Sequence, residues 1–536
     1  MMEAEPPGRG AKPAAGLPWE IAAPVLLMAL GAVFRLMDLS ARNLWTDEAW
    51  VALAALKPTA SEALAAGQST PPFYLLFIRA LAQVFGGSEA VLRSLSFGFG
   101  LGTVVLFWFL ARSLTGPAPA IAGLAALAFS PIMVYYSKEL KQYSGDAFFA
   151  VLLFFLAERL RTAQGQKGWL TLALAGIVGA GFSHSLVFIL PVVIAALWLA
   201  LPAPGRTRLV FVAALWGAAF LALYALFFRH QVDHQLIDYW SKDFPDFSGL
   251  PAFLIWLAGA WRRYLNYFLG SYGVFWGAPL LVLGVLHLCR RGPRAACLYL
   301  VGPLLLAFFA AALHRYPFMA HYGGSRLMLF SAPMLYLTVA AGVVASCHFL
   351  WQRRGWRWLT PVFIVGLLLA LKPVEMLQEN FSPSFNRSQL KPLAARLERE
   401  LKPADWVYVY YYAIHPFNYY FQQEARQQIY YGKSCVETGL ELPWETAAHG
   451  REKMRGEARP QRLWLIGGHY PDLDYMQAFA KNLLGPDWRQ AACVKEHGAV
   501  LFRFERQETP PANGRTGRPA LSLSGSPAPP PETACE

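Results

Sequence analysis

The chain has 536 residues, 55% of them hydrophobic and 15% aromatic, with 15% charged side chains where a soluble domain carries ~25%. That shortfall, with apolar stretches recurring along the chain, excludes an ordinary soluble globular protein and indicates a polytopic α-helical membrane protein. The net charge of +13 does not imply a nucleic-acid partner, because most Lys and Arg sit in short loops between apolar stretches, as membrane topology requires.

Residues 1–17 are polar and Pro-rich and read as a cytoplasmic segment; the apolar stretch after them lacks a small-x-small cleavage site and reads as a retained signal anchor. Eleven spans are expected, at 18–37, 93–111, 118–135, 146–158, 168–182, 185–201, 208–227, 272–289, 296–313, 327–350 and 357–371. With the N-terminus inside, the basic clusters at Arg112, 158–167, Arg206 with Arg208, 289–294 and 352–357 all fall on one side.

The stretch 71–85 is not counted as a span. It opens with Pro71-Pro72, contains Arg79, and at ~1.5 Å per residue reaches only ~22 Å of a ~30 Å hydrocarbon core. It is expected to be an interfacial or re-entrant helix, with Arg79 snorkelling to the headgroups. This makes 38–92 a long outer loop, holding a helix over 47–57 that Thr46 is placed to cap and another over 60–66. A second long outer loop covers 228–271. The membrane domain is thus 18–371.

From 372 to 506 the composition becomes that of a soluble domain, here extracytoplasmic. A helix is expected over 388–400 with Ser388 as N-cap, and strands over 405–412, 462–468 and 499–505, making a small α/β domain. Residues 507–536 are Pro/Gly/Ser-rich and expected to be disordered. Cys289, Cys297 and Cys347 read as small apolar residues, while Cys435 and Cys493 leave a disulfide open if their domain lies outside.

Three clusters carry charge where topology does not call for it. Asp47 and Glu48 stand between Trp45 and Trp50 at the outer interface. They suit either a catalytic site or the first turn of a helix, where the dipole favours acids by ~0.3–1 kcal/mol. Neighbours on a helix point ~100° apart, so one of the pair would face a cleft and the other would orient it. The segment SPIMVYYSKELKQY, 130–143, brings Lys138, Lys141, Gln142 and Tyr143 to an outer mouth, where they would hold a phosphate or simply form an interfacial belt. The segment HRYPFMAHYGGSR, 314–326, brings Arg315 and Arg326, as a clamp on an anionic headgroup or as snorkelling residues. His184 reads as a satisfied loop histidine. Asp233, His234, Asp238 and Asp243 match no standard metal spacing, and neither metal nor cofactor is expected.

The segments LWTDEAW (44–50), TPPFYLL (70–76), FGGSEAVLR (85–93), 130–143 and SRLMLFSAP (325–333), in that order and spacing, resemble the polytopic glycosyltransferases of the GT-C superfamily. The type most similar is glycosyltransferase family 39, related to protein O-mannosyltransferases and to the lipid A aminoarabinose transferase. The resemblance covers about residues 20–370. It implies a sugar passed from a polyprenyl-phosphate donor to a lipid, glycan or protein acceptor, in a bacterial inner membrane and on its outer face. It also implies Asp47 as general base with Glu48 assisting, and the two cationic clusters then place Lys138, Gln142, Tyr143, Arg315 and Arg326 as the expected substrate-binding residues. Where the lipid A branch has an acidic-basic pair before the Pro-Pro, this chain has Ser69-Thr70, which argues against aminoarabinose transfer. A transporter or flippase of lipid-linked sugar is the alternative; it would show charges deep within its spans.

Overall fold

The computed structural model describes residues 18–507, apart from 68, 232–239, 293, 322–323, 382–387, 422–427, 434–446, 448–449, 452–453, 455–459 and 471. The expected disordered tail, Cys435 and the acids and histidine at 233–238 therefore lie outside the described residues. Contacts divide the chain into two compact units, one made of 1–37 with 94–383 and the other of 38–93 with 384–536.

The first unit is helical. It contains α1 (Pro18–Leu36); residues 38–93, which belong to the second unit, supply α2 (Thr46–Ala55), α3 (Ala60–Ala66) and α4 (Pro72–Phe85). The first unit then resumes with α5 (Glu89–Thr115), whose first turn is shared with the second, α6 (Pro117–Phe129), α7 (Pro131–Tyr136), α8 (Tyr143–Thr162), α9 (Gln166–Phe182), α10 (Leu186–Ala200) and α11 (Ala203–Leu226). It ends with α12 (Leu250–Leu269), α13 (Gly273–Arg291), α14 (Arg294–Ala312), α15 (Ala332–Gln352), α16 (Leu359–Leu371) and α17 (Pro373–Phe381).

Among the described residues seven helical stretches are long and apolar enough to cross a membrane: α1, α5, α11, α13, α14, α15 with the 3-10 turn before it, and α16 continued by α17. The other four expected spans are helical as well. α6 and α10 are apolar with 13 and 15 residues, α9 has 17, and α8 has 20 but carries Asp146, Glu158, Arg159 and Arg161.

The expected single span over 118–135 is in fact two helices. Pro131 has no N–H to continue α6, and Ser130 starts α7 by accepting the Met133 N–H at 3.3 Å. Half of the expected second outer loop is helix α12, missed because its polar residues break an apolar run while only one face, with Tyr264, Leu265 and Phe268, is buried.

Two buried polar contacts tie this unit together. Arg35 in α1 donates to Ala128 O (3.0 Å) and Leu127 O (3.3 Å), carbonyls left open at the end of α6. Glu158 in α8 accepts from Tyr299 Oη (3.0 Å) in α14 and from Arg161 Nε (2.9 Å).

The second unit joins α2–α4 to a mixed five-stranded sheet. Its strands are β1 (Trp406–Val409), β2 (Gln428–Tyr431), β3 (Arg462–Gly468), β4 (Trp488–Glu496) and β5 (Ala499–Arg506), in the order β2-β1-β3-β5-β4. β2, β1 and β3 are parallel; β5 is antiparallel to β3, and β4 to β5. α18 (Leu390–Glu400) and α19 (Ile414–Tyr420) cover one face, where Val407, Val409, Trp464 and Ile466 meet Leu393, Leu397 and Phe417. α20 (Leu473–Leu484) covers the other, where Tyr408, Leu465 and Phe502 meet Met476, Phe479 and Leu483. Cys493 in β4 is buried and disulfide-bonded.

Three local expectations are corrected. Arg79 does not snorkel: it is buried and donates to Ala55 O, Lys57 O and Pro58 O, covering the open carbonyls at the end of α2. Thr46 is not the cap of α2; the N-cap is Trp45, and the Thr46 hydroxyl donates to Tyr412 O. The cap of α18 is Gln389 rather than Ser388.

The crossing of α13 and α15 requires two glycines. A Cβ on Gly342 would overlap the Leu280 carbonyl oxygen, and one on Gly284 the Thr338 carbonyl oxygen; small residues of this kind let membrane helices approach closely. Gly342→Leu should lower the melting temperature in detergent, its cost exceeding the ~1–3 kcal/mol of ordinary overpacking, since backbone cannot yield like a side chain. Gly366→Leu, at a position with open space around it, should leave it unchanged.

Candidate active site

In the second unit the site is built around α2. Glu48 is fully buried, 0% exposed. Arg93 meets it with Nε to Oε1 and Nη2 to Oε2, both 2.8 Å, and Arg42 adds Nη2 to Oε1 at 3.4 Å. The rest of the Arg93 guanidinium holds the chain leading into α2, donating to Leu39 O (3.0 Å), Arg42 O (2.6 Å) and Asn43 O (3.2 Å). This planar fork uses donors on all three nitrogens, as only Arg can. Asp47, one residue earlier and ~100° round the helix, is half-buried in the first turn instead. The two adjacent acids are thus separated by burial.

C-terminal residues also pack on the loop that carries α2. Leu44 N donates to Tyr420 Oη (2.7 Å), and Tyr419 Oη donates to Gly87 O (2.6 Å), so α19 grips the loop on both sides of α2–α4. Lys391 Nζ and Tyr420 Oη both reach Glu89 Oε1, at 2.7 and 3.3 Å. Burial first, then the Glu89 charge, pushes the Tyr419 hydroxyl up to about 12, so it stays a donor at neutral pH. Trp50 stacks on His415 with ring centres 4.9 Å apart, and Trp45 lies 5.6 Å from His469. Sequence reading missed Arg93, Arg42, His415 and His469; all four lie outside the short segment that carries the acids.

In the first unit the expected cations divide. Lys138 is buried and donates to Phe34 O and Met37 O, both 3.2 Å, at the C-terminal end of α1, where a cation meets the negative end of the helix dipole. Gln142, also buried, is the N-cap of α8 without a side-chain cap bond. Tyr143 and Arg326 are brought together: Arg326 Nε donates to Tyr143 Oη at 3.0 Å and its guanidinium lies 5.7 Å from the ring centre. Arg315 is exposed. In the first turn of α8, Asp146 accepts from Ser183, beside His184.

Of the four residues weighed for a metal, Asp243 is described; it accepts from His321 N (2.9 Å) and contacts the His321 ring. Among the described residues no three His, Cys, Asp or Glu side chains converge on one point.

Comparison with known proteins adds the following. The model of the dolichyl-phosphate-mannose-protein mannosyltransferase family matches residues 69–229. No curated protein sequence matches the chain. Among solved structures, ArnT from Cupriavidus metallidurans in the apo state superposes with a TM-score of 0.51 at 14% identity, over 89% of this chain and 97% of that one. The apo oligosaccharyltransferase of Archaeoglobus fulgidus gives 0.54 at 11% identity, over 92% and 75%. The fold is that of the GT-C superfamily. The expectation of a polytopic helical protein of GT-C type with a small C-terminal sheet domain is met. The GT-C likeness extends well beyond the residues of the family model, since it spans most of both units.

Breaking a buried ion pair by removing one partner costs ~3–5 kcal/mol, because the other charge stays buried alone. Arg93→Met and Glu48→Gln should each destabilise the second unit by about that amount in denaturant unfolding of the whole chain. The double variant should recover part of the loss.

Proposed function

We propose that the chain is a membrane glycosyltransferase that moves a sugar from a polyprenyl-phosphate donor to an acceptor hydroxyl on the outer face of a bacterial inner membrane, with inversion. The observation that carries this reading is Asp47, partly open in the first turn of a helix whose register is fixed by the buried Glu48–Arg93 pair. A carboxylate held in this way costs little reorganisation when it takes a proton. The dolichyl-phosphate-mannose description of the matching family supports a lipid-phosphate donor. An A. fulgidus oligosaccharyltransferase structure with a tethered acceptor peptide, at TM-score 0.50, supports glycosyl transfer by this fold. The basic loops expected on one side support the outer-face orientation.

Asp47 takes the proton of the acceptor hydroxyl as that oxygen attacks the anomeric carbon. The bond from that carbon to the phosphate oxygen breaks on the opposite face, and polyprenyl phosphate leaves with the electron pair and an added negative charge. Glu48 touches no substrate in this scheme and acts by positioning Asp47. Tyr143 and Arg326, with Lys138, Gln142 and Arg315, are the groups we assign to the donor. The acceptor is a lipid, glycan or protein hydroxyl.

General-base help is worth ~10²–10⁴ in rate. Asp47→Asn should lower transfer from a panel of polyprenyl-phosphate sugars by that factor while leaving the melting temperature within a degree or two of the wild type. Near-normal transfer by the folded variant would overturn the assignment.

A further inference from the structure

Two thiols of the first unit face each other. Cys289 stands in the last turn of α13 and Cys297 in the first turn of α14, with their sulfurs 2.7 Å apart. A disulfide bond is ~2.05 Å long, so little movement separates this pair from a covalent link. Cys297 Sγ also lies 3.8 Å from the Val285 carbonyl oxygen of α13, which turns it toward its partner's helix. Both are free thiols, Cys289 exposed and Cys297 half-buried. The sequence reading took them for small apolar residues; the structure brings them together at the surface rather than in the core.

Their place in the hairpin makes the pair reachable. Cys289 is two residues from Arg291, the end of α13, and Cys297 is three from Arg294, the start of α14. At ~1.5 Å per residue both lie within ~5 Å of their helix ends, beside the basic sequence Arg290, Arg291 and Arg294. That is the polar margin of the two spans, where a water-borne reagent has access. The two helices are anchored on different neighbours. α13 crosses α15 at Gly284, whereas α14 is bonded to α8 by Tyr299 Oη on Glu158 Oε1 at 3.0 Å. A bond between the cysteines would join these two anchorages covalently.

We propose that Cys289 and Cys297 are a reversible modification site, a dithiol that a hydroperoxide closes to a disulfide and a small thiol reopens. The exposed Cys289 sulfur, as thiolate, attacks one peroxide oxygen; the O–O bond breaks and the other oxygen leaves as water, giving a sulfenic acid. The Cys297 sulfur then attacks Cys289 Sγ, the S–S bond forms, the S–O bond breaks and a second water leaves. Two electrons pass from the thiols to the peroxide, and both thiol protons end in water. Because the second thiol is already in contact, capture of the sulfenic acid is intramolecular and outruns further oxidation. In the orientation proposed above this turn faces the cytoplasm, where thiols are kept reduced and disulfides are transient, so the resting state is the open dithiol. The chemistry of the pair does not depend on the transferase reading.

The test uses the full chain in nanodiscs, with hydrogen peroxide as oxidant, dithiothreitol as reductant and peptide mass spectrometry as readout. Wild type should lose two hydrogen atoms between the peptides that carry Cys289 and Cys297, and dithiothreitol should restore them. Cys347→Ser should behave like wild type, whereas Cys289→Ser and Cys297→Ser should form no such link. Phenylarsine oxide, which needs two neighbouring thiols, should be retained by wild type and lost from either single variant. The oxidised wild type should melt a few degrees above the reduced form, and the double variant Cys289→Ser/Cys297→Ser should show no peroxide-dependent change. If peroxide leaves both thiols of folded wild type open to alkylation, or drives Cys289 to the sulfinic acid without a link, the pair is not a modification site. A bond already complete in membranes acid-quenched and alkylated without added oxidant would make it a structural cross-link and end the reversible assignment. Sugar transfer plays no part in these readouts, so a failed transferase assay would leave this site standing.

Discussion

Arg93 is the side chain on which the arrangement of the acidic loop depends. A loop that leads from a membrane helix into a short helix has open carbonyls and no sheet to satisfy them. Arg93 takes three of these, from Leu39, Arg42 and Asn43, and closes on Glu48 with two equal bonds. The charge of Glu48 is therefore not available to solvent, and its partner is not a mobile surface cation but a buried fork fixed at five points. Everything assigned to Asp47 follows from this. Its backbone is held because the next residue is held. Arg79 does the same at the other end of α2, where it covers the carbonyls of Ala55, Lys57 and Pro58. Two arginines thus fix a ten-residue helix that is too short to be stable alone.

Hydropathy made the membrane helices legible, because a span must be apolar along its whole length. It failed where another rule intervened: Pro131 splits one span, and α12 buries only one face and so shows no continuous apolar run. In the second unit β1, β3 and β5 were legible because they are covered on both faces and read as unbroken runs of aromatic and branched residues. β4 is half-exposed, and its polar positions concealed it; β2 is a short strand at the sheet edge.

The candidate site was legible to the extent that it depends on local context. Asp47 and Glu48 are conspicuous as carboxylates among apolar residues, and the ~100° between them on a helix matches their different burial. What supports Glu48 was not visible, since Arg93 comes 45 residues later. The same limit hid the partners of Lys138, a pair of carbonyls about a hundred residues earlier, at the end of α1.

The grip of α19 on the first loop has a consequence for biosynthesis. Tyr419 and Tyr420 bond Gly87 and Leu44, so the second unit is assembled from two stretches separated by nearly all of the membrane helices. At ~5–20 residues per second, synthesis of the intervening chain takes on the order of tens of seconds. For that time α2–α4 have no sheet to pack on, and Tyr74 and Leu75, which end up buried, depend on whatever surface is nearby. The segment that carries α2–α4 is thus made early and completed late, and the polypeptide's final third acts as the template on which it folds.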